Sequence, residues 1–79
     1  MKIEYSILTP STMKIIVDGK VMHIEGEGTT EPKFYADSSS INKWDPPFEN
    51  EAIPETLKKE IVTTIESDSK RRKVPVVFD

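Results

Sequence analysis

The dipeptide Asp18-Gly19 lies between two runs of mainly apolar residues, and it constrains the fold more than any other feature of the sequence. Such a pair adopts positive φ at both positions and joins two antiparallel strands in a type I′ hairpin. Because the turn fixes the register, residues face each other in pairs, namely Val17 and Lys20, Ile15 and Met22, and Met13 and Ile24. Apart from Lys20 these residues are apolar and share one face, which we predict to be the centre of the core.

Three further strands follow from local patterns. In the segment Lys2–Ile7 apolar and polar residues alternate, which is the period of a half-buried strand. Residues 33–36 predict a short strand after a glycine-rich connection, residues 26–32, that we expect to be flexible. Val74–Phe78 predicts the last strand, and Pro75 within it indicates an edge position because proline has no N–H to donate.

Residues 54–70 predict the single helix. Leu57, Ile61 and Ile65 recur every four residues and form a narrow apolar stripe, which is typical of a helix lying on a sheet. Pro54 suits the first helical position, where a missing N–H is tolerated. The four basic residues 70–73 are expected to lie near the last helical carbonyls, where the helix dipole favours cations.

Together these elements follow the order β-β-β-β-α-β. This order predicts one α+β domain over residues 1–79, with a small, mostly antiparallel sheet of four to five strands and one helix packed on one of its faces. A chain of this length buries only roughly 60 to 65% of the surface that it exposes when unfolded, so we expect a thin core.

Composition narrows the functional classes. The chain has no cysteine, which excludes disulfides and thiolate metal sites and favours a reducing cytoplasm. It contains neither the apolar run of about 7 to 15 residues of a signal peptide nor the stretch of about 20 that spans a bilayer, so we expect no membrane partner. The net charge of −3 argues against nucleic-acid binding and suits either a basic protein partner or solubility alone.

No group of residues predicts catalysis. His23, the one histidine, falls on the mixed face of the hairpin and is better explained as an exposed strand residue than as a base. Residues 26–31 contain two glycines but lack the Gly-Lys-Ser/Thr of a phosphate loop, and the acidic residues around them do not have the spacing of a calcium loop. The basic residues 70–73 are too few for a nucleic-acid surface. We therefore expect no enzyme activity, no cofactor and no metal.

The segment Trp44-Asp45-Pro46-Pro47-Phe48 carries the most unusual composition in the chain. A proline pair excludes a helix interior or a central strand, and residues that precede proline favour extended backbone. The sequence therefore predicts a stiff, polyproline-like segment from Trp44 to Phe48. Two roles stay open for Trp44: it closes the core between helix and sheet, or it is exposed as an anchor for a partner.

The acidic residues around this segment suggest recognition. Aromatic residues are enriched in interface hot spots, and acidic neighbours steer a basic partner. We predict a partner-binding surface that consists of Trp44, Asp45, Phe48, Glu49 and Glu51.

The pattern Ser39-Ser40-Ile41-x-x-Trp44-x-x-Pro47, followed by Glu49 and Glu51, resembles family seventy-four of the immunity proteins of bacterial polymorphic toxin systems. The early Asp-Gly hairpin, the helix and the final Val-x-Phe extend the resemblance over nearly the whole chain. The resemblance implies a small cytoplasmic protein that binds and neutralises a cognate toxin domain, and it carries over no contact residues.

Two functional hypotheses follow. The first is an immunity protein that blocks a toxin, which we expect to be basic, by stoichiometric binding. The second is a small structural or regulatory module that pairs its edge strands with another domain or with itself. Both a monomer and a homodimer are compatible with the sequence.

Overall fold

The computed structural model describes all 79 residues. The elements in chain order are β1 (Ile3–Thr9), β2 (Thr12–Val17), β3 (Lys20–Gly28), β4 (Phe34–Ala36), a 3₁₀ turn (Ser38–Ser40), α1 (Glu55–Ser69) and β5 (Val76–Phe78). The five strands form one sheet in the order β1-β2-β3-β4-β5. All neighbours are antiparallel except β4 and β5, which are parallel. The predicted α+β class and element order are confirmed.

The central hairpin has the predicted register. Val17 faces Lys20, Ile15 faces Met22 and Met13 faces Ile24. The two turn residues adopt positive φ, 48° at Asp18 and 87° at Gly19, as a type I′ turn requires. All five apolar side chains of the predicted core face are buried, so the turn and the binary pattern together determine the core.

Strand β3 continues through Gly28, and the prediction of a flexible connection from residue 26 is therefore wrong. Gly26 and Gly28 pair with β4. A Cβ at Gly26 would lie 2.6 Å from Cζ of the Phe34 ring and 2.8 Å from the carbonyl oxygen of Tyr35. Gly26 is thus needed because the buried Phe34 ring packs directly against the backbone, a requirement of tertiary packing that the local sequence does not reveal.

Helix α1 starts one residue later than predicted. Pro54 has extended backbone, with φ −62° and ψ 150°, and precedes the helix as its N-cap. Its carbonyl accepts the hydrogen bond from the N–H of Lys58 at 3.0 Å. The apolar stripe packs on the sheet as expected, with Ile61 and Ile65 fully buried, and it ends in a buried serine, Ser69.

The basic residues 70–73 follow directly on α1, with Lys70 as its C-cap, and the N–H groups of Arg71 and Arg72 donate to the last helical carbonyls, those of Asp68 and Ser69. The side chains of Arg71 and Arg72 donate to the carboxylate of Asp68 at 3.2 and 3.0 Å. The hydroxyl of Tyr5 donates to the same carboxylate at 2.7 Å, and the Arg72 guanidinium lies 4.8 Å from the centroid of the Tyr5 ring. These contacts join the end of α1 to β1.

Replacing Gly26 by alanine is expected to destabilise the fold by about 1 to 3 kcal/mol, because Phe34 or the backbone of β4 must move. Gly28→Ala is the matched control, since a Cβ there meets only ordinary contacts, the nearest 3.4 Å away at the carbonyl oxygen of Pro10. Urea unfolding measures both variants. Equal stability of the two would contradict the packing argument.

Burial, followed by the hydrogen bond to Asp68, raises the pKa of Tyr5 to about 12. The folded state therefore favours the neutral phenol of Tyr5. The contribution of Tyr5 to the free energy of unfolding is complete below the ordinary pKa of 10.0 and is lost as the pH rises through about 12. In a Tyr35→Phe background, where Tyr5 is the only tyrosine, absorbance titration should show this high pKa, and Asp68→Asn should lower it. Ionisation of Tyr5 near pH 10 in the folded protein would refute this assignment.

Candidate partner-binding surface

The predicted surface lies along an edge of β3 that β4 leaves open. Since odd-numbered residues of β2 bond to β3, every second residue of β3 directs its N–H and C=O away from β2. The N–H of Asp45 donates to the carbonyl of Val21 at 2.7 Å, and the N–H of Asp37 donates to the carbonyl of Glu25 at 2.9 Å. The Ser40 hydroxyl accepts from the N–H of Glu25 at 3.0 Å. Residues 37–45 thus occupy the position of a strand beside β3. The bond from Asp45, the last of these along the chain, fixes the position at which residues 45–51 start.

Trp44 is buried, with 4% of its surface exposed, and belongs to the same apolar cluster as Ile61 and Ile65 of α1 and the core face of the hairpin. The interpretation that Trp44 closes the core is confirmed. Phe48 packs against this cluster and is only partly buried. The predicted surface therefore contains one core residue, one apolar residue at the boundary, and three acids.

Residues 45–51, here named the acidic loop, form turns, and the predicted extended segment is wrong. The carbonyl of Asp45 accepts from the N–H of Phe48, and the carbonyl of Phe48 accepts from the N–H of Glu51, both at 3.0 Å. The peptide bond between Pro46 and Pro47 is cis. Steric preferences of single residues before proline indicated extension, whereas two backbone hydrogen bonds hold the chain folded back on itself.

Lys20, which sequence reasoning did not include, is central to this surface. Its Nζ lies 2.5 Å from Oε1 of Glu51, 5.3 Å from the centroid of the Phe48 ring and 5.7 Å from that of Trp44. An ammonium group at such distances from aromatic faces is attracted by their quadrupoles. The hairpin register contained a signal for it, because Lys20 is the one charged residue among the pairs on the apolar face.

His23 also contributes to the surface, where it contacts the first acid of the loop. Its Nδ1 lies 2.5 Å from Oδ2 of Asp45, and its predicted neighbour across the hairpin is indeed Lys14. A histidine bonded to a carboxylate is part of a catalytic triad only if a nucleophile bonds to the other ring nitrogen. The hydroxyl of Ser40, which lines the same shallow depression, instead donates to the carbonyl of Asp37. The geometry is that of a surface pair.

The three acidic side chains of the loop differ in whether they have a partner of opposite charge within the chain. Glu51 is paired with Lys20, and Asp45 with His23. Glu49 has no ion pair, and its Oε2 is shielded from solvent without a hydrogen-bond partner. A buried polar atom without a partner is rare in native structures and costs roughly 1 to 3 kcal/mol. Glu49 is thus the acid of this loop that has no ion pair within the chain.

The family model described as Immunity protein 74 matches residues 2–79. The chain belongs to the Immunity protein 74 family. This match confirms the resemblance that the Trp-x-x-Pro segment indicated, and it makes the chain an immunity protein by family. No curated protein and no solved structure matches the chain.

A second surface feature of this immunity protein lies away from the acidic loop. A cleft of about 620 Å³ opens where β1 ends, between the 9–10 turn, residues 28–34 and Val74. Its rim includes Ile7 and Leu8, which are 37% and 50% exposed. None of the predicted contact residues lines this cleft. The structure contains no helix long and apolar enough to cross a membrane, and no group of three or more metal-ligating side chains.

Replacing Trp44 by alanine is expected to destabilise this immunity protein by about 3 to 5 kcal/mol, because the large buried ring leaves a cavity between helix and sheet. Phe48→Ala, at the partly exposed neighbouring aromatic position, should cost clearly less. Thermal and urea unfolding of both variants provide the measurement. An unchanged stability of Trp44→Ala would show that the ring does not hold the core closed.

Proposed function

We propose that this immunity protein neutralises a cognate toxin domain by binding it stoichiometrically, and that the toxin contacts the acidic loop. Membership in the Immunity protein 74 family is the observation that carries the function. The location rests on the acidic loop itself, because Glu49 is the acid of this loop that has no ion pair within the chain, whereas Glu51 and Asp45 are paired.

We infer that the toxin is basic at the contact. The chain has a net charge of −3, which favours approach of a cationic surface. Glu51 and Asp45 already have partners from β3, so the cation that the toxin contributes is directed to Glu49. A lysine or arginine there would pair with the carboxylate of Glu49, and a charge-assisted hydrogen bond is roughly twice as strong as a neutral one.

The five predicted contact residues act in different ways in this proposal. Glu49 binds the cation, while Asp45 and Glu51 form the charged rim and steer association. Phe48 contributes apolar area at the boundary of the core. Trp44 does not contact the toxin in this proposal. Its buried ring, together with the Lys20 ammonium, holds the acidic loop in place.

The proposal places this binding in the bacterial cytoplasm, where a chain without cysteine needs no oxidising environment. Neutralisation by binding requires no catalysis, cofactor, metal, nucleic acid or membrane. It requires that the toxin and the immunity protein meet before the toxin acts.

Charge reversal at Glu49 tests the location. Glu49→Lys should weaken binding of the cognate toxin domain by roughly tenfold to a hundredfold in Kd, because the charge-assisted bond is lost. It should also remove protection of cells that express the toxin. The matched control is Glu60→Lys, an exposed helical position with the same change of charge and no ion pair in the structure. Calorimetric titration measures the Kd, and thermal unfolding verifies that both variants fold.

The apolar cleft provides the competing location. Leu8→Ser removes an exposed apolar side chain at its rim and should leave toxin binding unchanged. If Leu8→Ser abolished binding while Glu49→Lys did not, the toxin would bind the cleft and not the acidic loop. Absence of any complex with the toxin would contradict the proposed function itself.

A further inference from the structure

Two stretches of sheet edge, the open part of β3 and the outer side of β5, are covered by other parts of the chain. Residues 37–45 cover the open part of β3, as described above. At β5 the N–H of Val76 donates to the Ser69 hydroxyl and the N–H of Phe78 to a carboxylate oxygen of Glu66, both at 2.8 Å. β5 is also only three residues long and follows Pro75. Both edges are thereby blocked against pairing with another strand.

The edge of β1 is not covered. The N–H of Asp18 bonds to the carbonyl of Lys2, so Glu4 and Ser6 form the hydrogen-bonded pairs with β2. The N–H and C=O groups of Ile3, Tyr5 and Ile7 therefore point away from β2, and none of them has a partner among the bonds outside the ladders. β1 is seven residues long and contains no proline. It is a complete template for another strand.

We propose that β1 pairs with β1 of a second copy of this chain, antiparallel and about a two-fold axis at Tyr5. In this register Ile3 of each copy faces Ile7 of the other, and Tyr5 faces Tyr5. All three residues with outward backbone groups then lie in hydrogen-bonded pairs. A symmetric pairing of this kind closes on itself and forms a dimer with one continuous sheet.

The side chains of β1 are complementary to themselves in this register. On the helix-covered face the pairs are apolar or aromatic, and they cover Ile3, Tyr5 and Ile7, which one copy leaves partly exposed. On the other face Glu4 lies opposite Ser6, so no like charges oppose each other directly. A shift of two residues in one direction places Glu4 opposite Glu4, and a shift in the other direction reaches the irregular pairing at Thr9. This complementarity is the reason to assign the edge to a second copy.

Sedimentation equilibrium of the purified chain without toxin tests the proposal. We expect a dimer that dissociates on dilution. Ile7→Pro removes an outward N–H while leaving the bonds to β2 in place, so it should abolish the dimer and retain the cooperative unfolding transition. A wild-type protein that stays monomeric at every concentration would overturn the proposal.

Substitutions at Ser6 give a test that a folding defect cannot imitate. Within one copy Ser6 faces Lys14, so Ser6→Glu should stabilise the monomer and Ser6→Lys should destabilise it. Across the dimer axis Ser6 faces Glu4, so the effects on association are reversed. Ser6→Lys should tighten the dimer and Ser6→Glu weaken it by roughly twofold to thirtyfold, because each change occurs twice in the dimer.

A dimer whose dissociation constant is unchanged by Ile7→Pro and by both substitutions at Ser6 would overturn the assignment of the interface to β1. So would a monomeric protein in which Ile7→Pro weakens toxin binding while Leu8→Ser, at the rim of the same cleft, does not, because the edge of β1 would then accept a strand of the toxin. The dimer is measured on the chain without toxin, and toxin binding is measured separately on the same variants. Failure of the dimer is therefore distinguishable from failure of the proposed toxin binding.

Discussion

The backbone groups along the edges of a sheet need hydrogen-bond partners, and the way this chain supplies them determines where its surfaces lie. β3 extends beyond the short β4, and residues 37–45 cover the part that β4 leaves open. The bond from Asp45 to Val21 ends this covering segment and fixes the start of the acidic loop. Side chains of α1 block β5. The position of the acidic loop thus follows from the covering of β3, whereas the edge of β1 is the one that the chain leaves without partners.

The elements that the sequence predicted correctly depend on local rules. The Asp18-Gly19 turn specifies its own φ values and the register of the hairpin, and the register selects the buried face. The helical stripe at Leu57, Ile61 and Ile65 depends on the helical period alone. The element order followed from the same patterns. The family resemblance rested instead on the Ile41-x-x-Trp44-x-x-Pro47 motif.

The features that differed depend on specific contacts that the preferences of single residues do not include. Gly26 belongs to β3 because the Phe34 ring packs on it. The side chains of Arg71 and Arg72 donate to Asp68, which Tyr5 of β1 also contacts. The acidic loop folds back through hydrogen bonds that steric preferences do not include. Lys20 and the shielded oxygen of Glu49 likewise become visible only when the loop lies against β3.

Amide hydrogen exchange of the chain, free and bound to its toxin, tests the central claim most directly. Pro46 and Pro47 have no amide hydrogen, so the exchange rates to compare are those of residues 48–51 and of the neighbouring start of β3. Slower exchange confined to these amides in the complex is the predicted result, because the toxin would shield the acidic loop. Unchanged exchange there, with protection of residues 7–10 and 28–33 around the apolar cleft, would contradict the account.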